Sequence, residues 1–328
     1  MARSVDICTL GEMLIDLFPG KTGVPLAGVT AFHPKPGGAP ANVAVASSRL
    51  GKNAAFIGKV GDDPFGRLLE RTLSRAGVLT RGMRFDSQVR TTLAFIAKPD
   101  EYSADILFYR HPGADMMLDI ADLDRALLGE SRFFHFGSIS LIHEPSRSAT
   151  LEAARYAKES GAQISFDVNY RPDLWADPSL APSLIATGYP LADILKINEN
   201  ELLFLTRTGN PAEGSRTLLD RGPKLIVVTR GKEGSYFRTK NSAASVPAFA
   251  VPTVDATGCG DAFLAALLVG LLEAPGWEKR LEREELFSIL RFASAAGALT
   301  ARKLGVIPAL PDRKEVEEFI KTTRSEKL

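Results

Sequence analysis

Asp255-Ala-Thr-Gly-Cys-Gly-Asp261, running straight into Ala262-Phe-Leu-Ala-Ala-Leu-Leu-Val269, is a glycine-rich loop that opens an apolar helix. Gly258 and Gly260 lack a Cβ and tolerate φ > 0, so a ligand can lie against bare backbone there. The stretch that follows is apolar at every position and predicts a buried helix. The start of such a helix aims unpaired N–H groups and the positive end of its dipole at one spot, a ready anion site. An acid beside an anion site is electrostatically odd unless it has work to do. Asp261 could accept a proton from an incoming hydroxyl while the amides of Gly258, Cys259 and Gly260 hold phosphoryl charge. It could equally cap its helix, since acids favour N-termini.

The remaining composition sets the context. A chain of 328 residues suits one large α/β domain or a domain with a small appendage. Hydrophobic content of 45% and charged content of 24% are those of an ordinary globular protein. A net charge of +1 argues against nucleic acid or an anionic membrane as the main partner. The two cysteines, Cys8 and Cys259, suggest neither a disulfide framework nor a zinc site, and a reducing cytoplasm is the expected compartment. The N-terminus lacks the apolar core of a signal peptide, and the run Ala262–Leu272 is too short to cross a bilayer.

Short apolar runs of strand length recur at Val5–Leu10, Ala54–Val60, Phe133–Gly137, Ala162–Asp167, Asp193–Ile197 and Lys224–Thr229. Helical patterns lie between and after them: Phe65–Ala76, Pro145–Ser160, Asn200–Thr206, Ala212–Arg221, Asp261–Glu273 and Arg283–Arg302. This alternation predicts a mostly parallel sheet with helices on both faces. Two stretches, Met13–His33 and Gln88–Arg110, break the rhythm with extended segments and no intervening helix. They are expected to pair as a small antiparallel sheet, a lid over the carboxyl ends of the parallel strands, where ligands bind. Residues 1–12, 34–87 and 111–328 then form the core, and 13–33 and 88–110 the lid.

A second glycine site, Pro36-Gly-Gly-Ala-Pro-Ala-Asn42, places Pro40 in the first turn of a helix, where no N–H donor is needed. Gly37 and Gly38 let a ligand approach the backbone, and Asn42 can donate and accept hydrogen bonds. A tight strand-to-helix turn capped by Asn42 would have the same residues.

Gly37–Asn42, continued by Arg49-Leu-Gly51 and Gly58-Lys-Val-Gly-Asp-Asp-Pro-Phe-Gly66, resembles the N-terminal signature of the ribokinase-like (phosphofructokinase-B) sugar kinases. Asp255–Asp261 resembles their C-terminal signature, in the right order and at the right separation. Within that family, Gly11-Glu-Met-Leu-Ile-Asp16, Phe108-Tyr-Arg-His-Pro-Gly-Ala-Asp115, His135-Phe-Gly-Ser-Ile-Ser140, Asp167-Val-Asn-Tyr-Arg171 with Leu174-Trp175, and Ile194-Leu-Lys-Ile-Asn198 are similar to fructokinase segments. The resemblance implies a Rossmann-like core with a β-sheet lid, ATP as phosphoryl donor, Mg²⁺ as helper, and conversion of fructose to fructose 6-phosphate. It also implies a homodimer joined through the lid.

Roles follow from chemistry and resemblance together. Phosphoryl transfer needs a base, an electrostatic cradle and alignment of donor with acceptor. Asp261 would be the base and the amides of residues 258–260 the cradle. Asp16 would accept bonds from sugar hydroxyls, with Gly37, Gly38 and Asn42 completing the pocket. Arg110 and Arg171 could meet oxygen-rich ligands or form ordinary salt bridges. Asn198 and Glu201 fit the family's Asn-x-x-Glu element, which helps organise Mg²⁺ and phosphates; Glu201 could otherwise be an exposed helix charge. Thr229, Gly231 and Gly234 match a nucleotide-binding turn. Asp255, Thr257 and backbone near 303–305 would hold a monovalent cation such as K⁺. The chain departs from ribokinases at Ala39, where they carry lysine, and Cys259 stands where alanine is common. The opposing fields of helix and carboxylate predict a moderately reactive Cys259 thiol. The four histidines have no metal-ligand spacing, and His135 reads as packed core. Kinases for 2-keto-3-deoxygluconate or ribose, and a non-catalytic sugar-responsive regulator, are the alternatives.

Overall fold

The structure, a computed structural model, describes residues 3–97, 99–100, 105–274, 276–277 and 283–323. Its central strand, β1 (Val5–Leu10), is buried on both faces, as befits a strand in the middle of a parallel sheet. β1 pairs in parallel with β4 (Ala54–Gly61) on one side and β8 (Ser131–Gly137) on the other. β5 (Leu79–Asp86) completes one edge. On the other side follow β9 (Gln163–Asp167), β10 (Ile194–Asn198), β11 (Leu225–Thr229), β12 (Ser235–Arg238) and β13 (Ala243–Val246), giving the order β13-β12-β11-β10-β9-β8-β1-β4-β5. All pairs are parallel except β11–β12 and β12–β13. The chain winds outward from β1 to β5 and then returns to β8, so the winding reverses at β1. A crevice opens at the carboxyl ends of the strands at such a reversal.

One face of the sheet packs on α1 (Ala39–Arg49) and α2 (Pro64–Arg75). The other packs on α3 (Arg125–Gly129), α4 (Ser146–Glu159), α5 (Ala181–Ala186), α6 (Glu199–Thr206) and α7 (Pro211–Leu219). The first face also receives α8 (Cys259–Glu273) and α9 (Arg283–Ala301), after which come α10 (Val306–Ala309) and α11 (Arg313–Thr322). α8 is buried all round, from Ala262 to Val269 and again at Leu271 and Leu272. Gly270 lets α9 approach closely, since a Cβ there would come within 2.6 Å of Ile289 Cγ2. Among the described residues no helix is long and apolar enough to cross a membrane.

A second sheet, in the order β3-β2-β6-β7, comprises β2 (Leu14–Pro19), β3 (Phe32–Gly37), β6 (Leu93–Ala97) and β7 (Asp105–Tyr109). It is not wholly antiparallel as the sequence reading had it. β2–β3 and β6–β7 are antiparallel hairpins, but their contact, β2–β6, is parallel. Both hairpins leave the core in the same direction, so their first strands run side by side. β3 also continues to Gly37, beyond residue 33. β5, β12 and β13 were not foreseen. β5 and β13 are edge strands, and β5 carries Arg81 and Arg84, the kind of charge that discourages edge pairing.

Candidate active site

Three loops meet in the crevice. In the second sheet, Asp16 of β2 lies against Gly37 of β3 so closely that a Cβ on Gly37 would overlap its Oδ2. Burial pushes the Asp16 carboxyl up to about 7; the Arg171 guanidinium opposes that rise and Asp261 adds to it. Gly38, at φ 110°, then starts α1, with Pro40 in its first turn as expected. Gly37→Ala is therefore expected to displace Asp16 and, if Asp16 holds the sugar as the resemblance implies, to raise the sugar KM by about tenfold or more with the ATP KM unchanged. Steady-state kinetics check this, and an unaltered sugar KM would detach Asp16 from the sugar.

Asn42, in the first turn of α1, is buried, and its Nδ2 donates to Asp261 Oδ2 over 2.8 Å. That bond joins the two glycine motifs across 219 residues of sequence. Gly258 takes the left-handed conformation (φ 82°, ψ −6°) that turns the chain into α8, and a Cβ on it would overlap Val306 Cγ1. Asp261 sits in the first turn of α8. Burial pushes its carboxyl up to about 6, with Asp167 adding to the rise; the Asn42 bond and the charges of Lys196 and Arg171 restrain it. Of the three amides expected to line the anion site, that of Cys259 donates to Ala256 O over 3.3 Å and closes the turn. The first N–H groups of α8 otherwise have no intrahelical acceptor.

Sequence reasoning missed Lys196. It stands on β10 opposite Asp167 at the end of β9, and its Nζ lies 2.6 Å from Asp167 Oδ2 in a buried ion pair. A Cβ added to Gly260 would come within 3.3 Å of the same Nζ. The ammonium therefore sits directly beneath the start of α8. A lysine inside the apolar strand Ile194-Leu-Lys-Ile-Asn198 was the available signal, because lysine is almost never buried without a partner.

Asn198 caps α6: its Oδ1 accepts from Glu201 N (2.9 Å) and Glu201 Oε2 accepts from Asn198 N (2.8 Å). Glu201 Oε1 accepts from Tyr170 N (2.7 Å). Glu201 is thus a buried brace rather than an exposed helix charge; burial and Asp167 push its carboxyl up, against Lys196. Thr229 ends β11, and Gly231 (φ 51°) and Gly234 (φ 90°) form the turn into β12. Asp255 accepts from the Thr257 hydroxyl (2.7 Å) and amide and from Gly305 N (3.2 Å), so the three segments expected around a monovalent cation do meet. Arg110 is 4% exposed, and its Nε (2.8 Å) and Nη2 (2.7 Å) are engaged by Asp115. Arg171 is exposed and near enough for its charge to lower the carboxyls of both Asp16 and Asp261. His135 is buried on β8 beside the Ser165 hydroxyl (3.2 Å).

The moderately reactive thiol is not what the structure holds. Burial first, then Asp255 and Asp261, push Cys259 up to about 12, and its Sγ turns back towards Asp255 O (3.9 Å). Burial and the two carboxylates all disfavour the thiolate. Cys259 is expected to resist iodoacetamide at pH 7.5 under native conditions and to react once unfolded. Rapid native labelling seen by mass spectrometry would contradict this placement.

A buried helix with an acid in its first turn thus lies near a second sheet that presents a carboxylate. Residues 5–313 match the model of the pfkB family carbohydrate kinases, and the chain belongs to that family. It is 45% identical to "Probable fructokinase-6, chloroplastic" of Arabidopsis thaliana over 316 residues, 96% of this chain and 82% of that protein. Among solved structures it is similar to a fructokinase with bound ATP from Xylella fastidiosa (TM-score 0.88, 33% identity, 97% of this chain and 98% of that one). It is also similar to a fructokinase double mutant from Vibrio cholerae O395 with fructose, ADP and potassium ion bound (TM-score 0.86, 34% identity, 98% and 100% covered).

Proposed function

We propose that this chain is an ATP-dependent fructokinase, producing fructose 6-phosphate and ADP, with Asp261 as general base. The observation that carries this reading is the Asn42–Asp261 bond, which holds the sugar loop and the anion site in one constellation. Asp16, backed by Gly37, would accept hydrogen bonds from sugar hydroxyls. Asp261 would take the proton of the 6-hydroxyl as that oxygen attacks the γ-phosphorus. The bond from the γ-phosphorus to its bridging oxygen then breaks, and ADP leaves with the electron pair. The free amides opening α8 and the Lys196 ammonium beneath them would offset the charge spread over the transferring oxygens. The second sheet would close over the crevice as a lid and keep water from competing with the sugar.

Among the described residues no group of three or more His, Cys, Asp or Glu side chains could cage a metal. Mg²⁺ needs no such cage, since it is held largely by phosphates and water. Asp167 Oδ1 is buried without a hydrogen-bond partner among the described residues, and with the equally buried Glu201 it would act on a hydrated Mg²⁺ through its charge rather than by direct ligation. When bound, the ion would neutralise the β- and γ-phosphate charge. K⁺ is proposed at Asp255, Thr257 and the backbone near 305, segments that the bonds to Asp255 bring together.

Arg171, exposed and beside Asp16, would also suit the carboxylate of 2-keto-3-deoxygluconate, which makes that sugar acid the second reading. A coupled ADP-release assay across fructose, 2-keto-3-deoxygluconate and ribose decides. Fructose is expected to have the highest kcat/KM. Faster turnover of the acid would overturn the substrate assignment, and no turnover of any sugar would leave a regulator.

A further inference from the structure

The chain passes between the two sheets at four places: between β1 and β2, β3 and α1, β5 and β6, and after β7. Three of them contribute side chains and the β3–α1 crossing a backbone amide. Glu12, between β1 and β2, is 3% exposed, and its Oε1 accepts from Ala39 N over 3.0 Å. Ala39 is the first residue of α1, whose cap position is Gly38, a residue with no side chain to supply an acceptor. Glu12 performs that service from 27 residues away. Its main chain is as close, for a Cβ on Gly38 would overlap Glu12 O. Thr92, which precedes β6, donates its hydroxyl to Asp115 Oδ1. Arg110, the residue after β7, holds the other oxygen of Asp115. Glu12 feels both of these charges, and its Oε2 is buried with no hydrogen-bond partner among the described residues.

We propose that Glu12 is a positioning residue for the sugar site, tying the first turn of α1 to the roots of the second sheet so that Gly37, Gly38 and Asn42 stay in register with Asp16. It does not touch substrate. One buried carboxyl fixes the sugar loop at the point where the sheet bearing Asp16 is anchored, so displacement of either disturbs the other. The inference rests on the sugar-kinase reading of these residues. The Arg110 guanidinium is bonded to Asp115 and acts on Glu12 through its charge alone, and the charges of Arg110, His111, Arg147 and Asp115 act on His143. Burial pushes Glu12 up to about 7, Asp115 adding to this while the Ala39 amide and Arg110 oppose it, which makes glutamine a close mimic of the neutral acid.

The test compares Glu12→Ala, Glu12→Gln and Thr92→Val in steady-state kinetics with fructose and ATP, alongside thermal unfolding. Glu12→Ala is expected to raise the fructose KM by about tenfold or more while the ATP KM stays within about twofold. Glu12→Gln keeps an acceptor for Ala39 N and should bring the fructose KM back to within about threefold of wild type. Thr92→Val loosens Asp115 from the β6 root and should raise the fructose KM by about threefold or more, which keeps the inference testable if Glu12→Ala does not fold. A merely structural role would lower the unfolding midpoint and leave the fructose KM of the folded variants unchanged. That result, or an equal rise in Glu12→Gln and Glu12→Ala, overturns the proposal. Wild-type enzyme that ignores fructose would sink the substrate assignment instead, and the same KM ratios would then be read on the sugar it does phosphorylate.

Discussion

Asp261→Asn is expected to lower turnover by at least about 10²-fold while fructose and ATP still bind, the scale on which a lost general base acts. Asparagine fills the same space, and its side-chain oxygen can still accept from Asn42 Nδ2, so the joint between the two motifs survives. What disappears is a group able to hold the hydroxyl proton. With its carboxyl pushed up to about 6, Asp261 is ionised at neutral pH and a stronger base than an ordinary aspartate. In the wild type, kcat/KM should fall as pH drops through this region. Because the Asp261 charge helps to raise Asp16, whose carboxyl is pushed up to about 7, that acid limb also carries the titration of Asp16. Calorimetry for binding and single-turnover kinetics for chemistry check the substitution. Turnover near the wild-type rate in a folded Asp261→Asn protein would remove it from the base role.

Lys196→Met should produce the largest loss of stability. It leaves Asp167 charged, buried and without its cation, and breaking such a pair from one side costs about 3–5 kcal/mol. Asp167 Oδ1 already lacks a partner among the described residues, so nothing nearby absorbs the loss. The double variant Lys196→Met with Asp167→Leu should recover most of that stability, because replacing both members with apolar groups of similar volume is often neutral. It should not recover activity, since the charge beneath the anion site is gone. Chemical denaturation of the two variants reads the first point. A single-variant loss below about 1 kcal/mol would show the pair to be well solvated.

The elements most legible in the sequence were those whose residues decide their own environment. Val5–Leu10 is apolar at four of its six positions, and the strand appears over that span. The apolar run after Asp261 became the helix buried all round. The glycines at 37, 38 and 258 marked backbone that the structure packs too tightly for a Cβ. What escaped was set by partners distant in sequence. Alternation in Leu14–Pro19 and Leu93–Ala97 tells which face of a strand is apolar, not which strand lies beside it, so the parallel β2–β6 contact could not be read. Lys196 was hidden in plain view, since its meaning depends on Asp167, 29 residues earlier. Cys259 was misjudged because the charge of Asp255 and the depth of burial are tertiary facts. Arg110 had its partner Asp115 five residues on, within the same quoted segment, and only the fold showed that pairing.

Asp261, the proposed base, rides on α8, a helix buried along most of its length, whereas Asp16 rides on the four-stranded second sheet. On the proposed reading the transfer end of the reaction rests on a helix buried in the core, and the acceptor end on the smaller sheet. Substitutions in the second sheet that spare Asp16 and Gly37 are expected to reshape which hydroxyl is presented while the Asn42–Asp261 bond stays in place. The reverse does not hold, since a change inside α8 must be absorbed by the core itself. New acceptor preferences in this scaffold should consequently arise through residues 14–37 and 93–109, with the chemistry of α8 left standing.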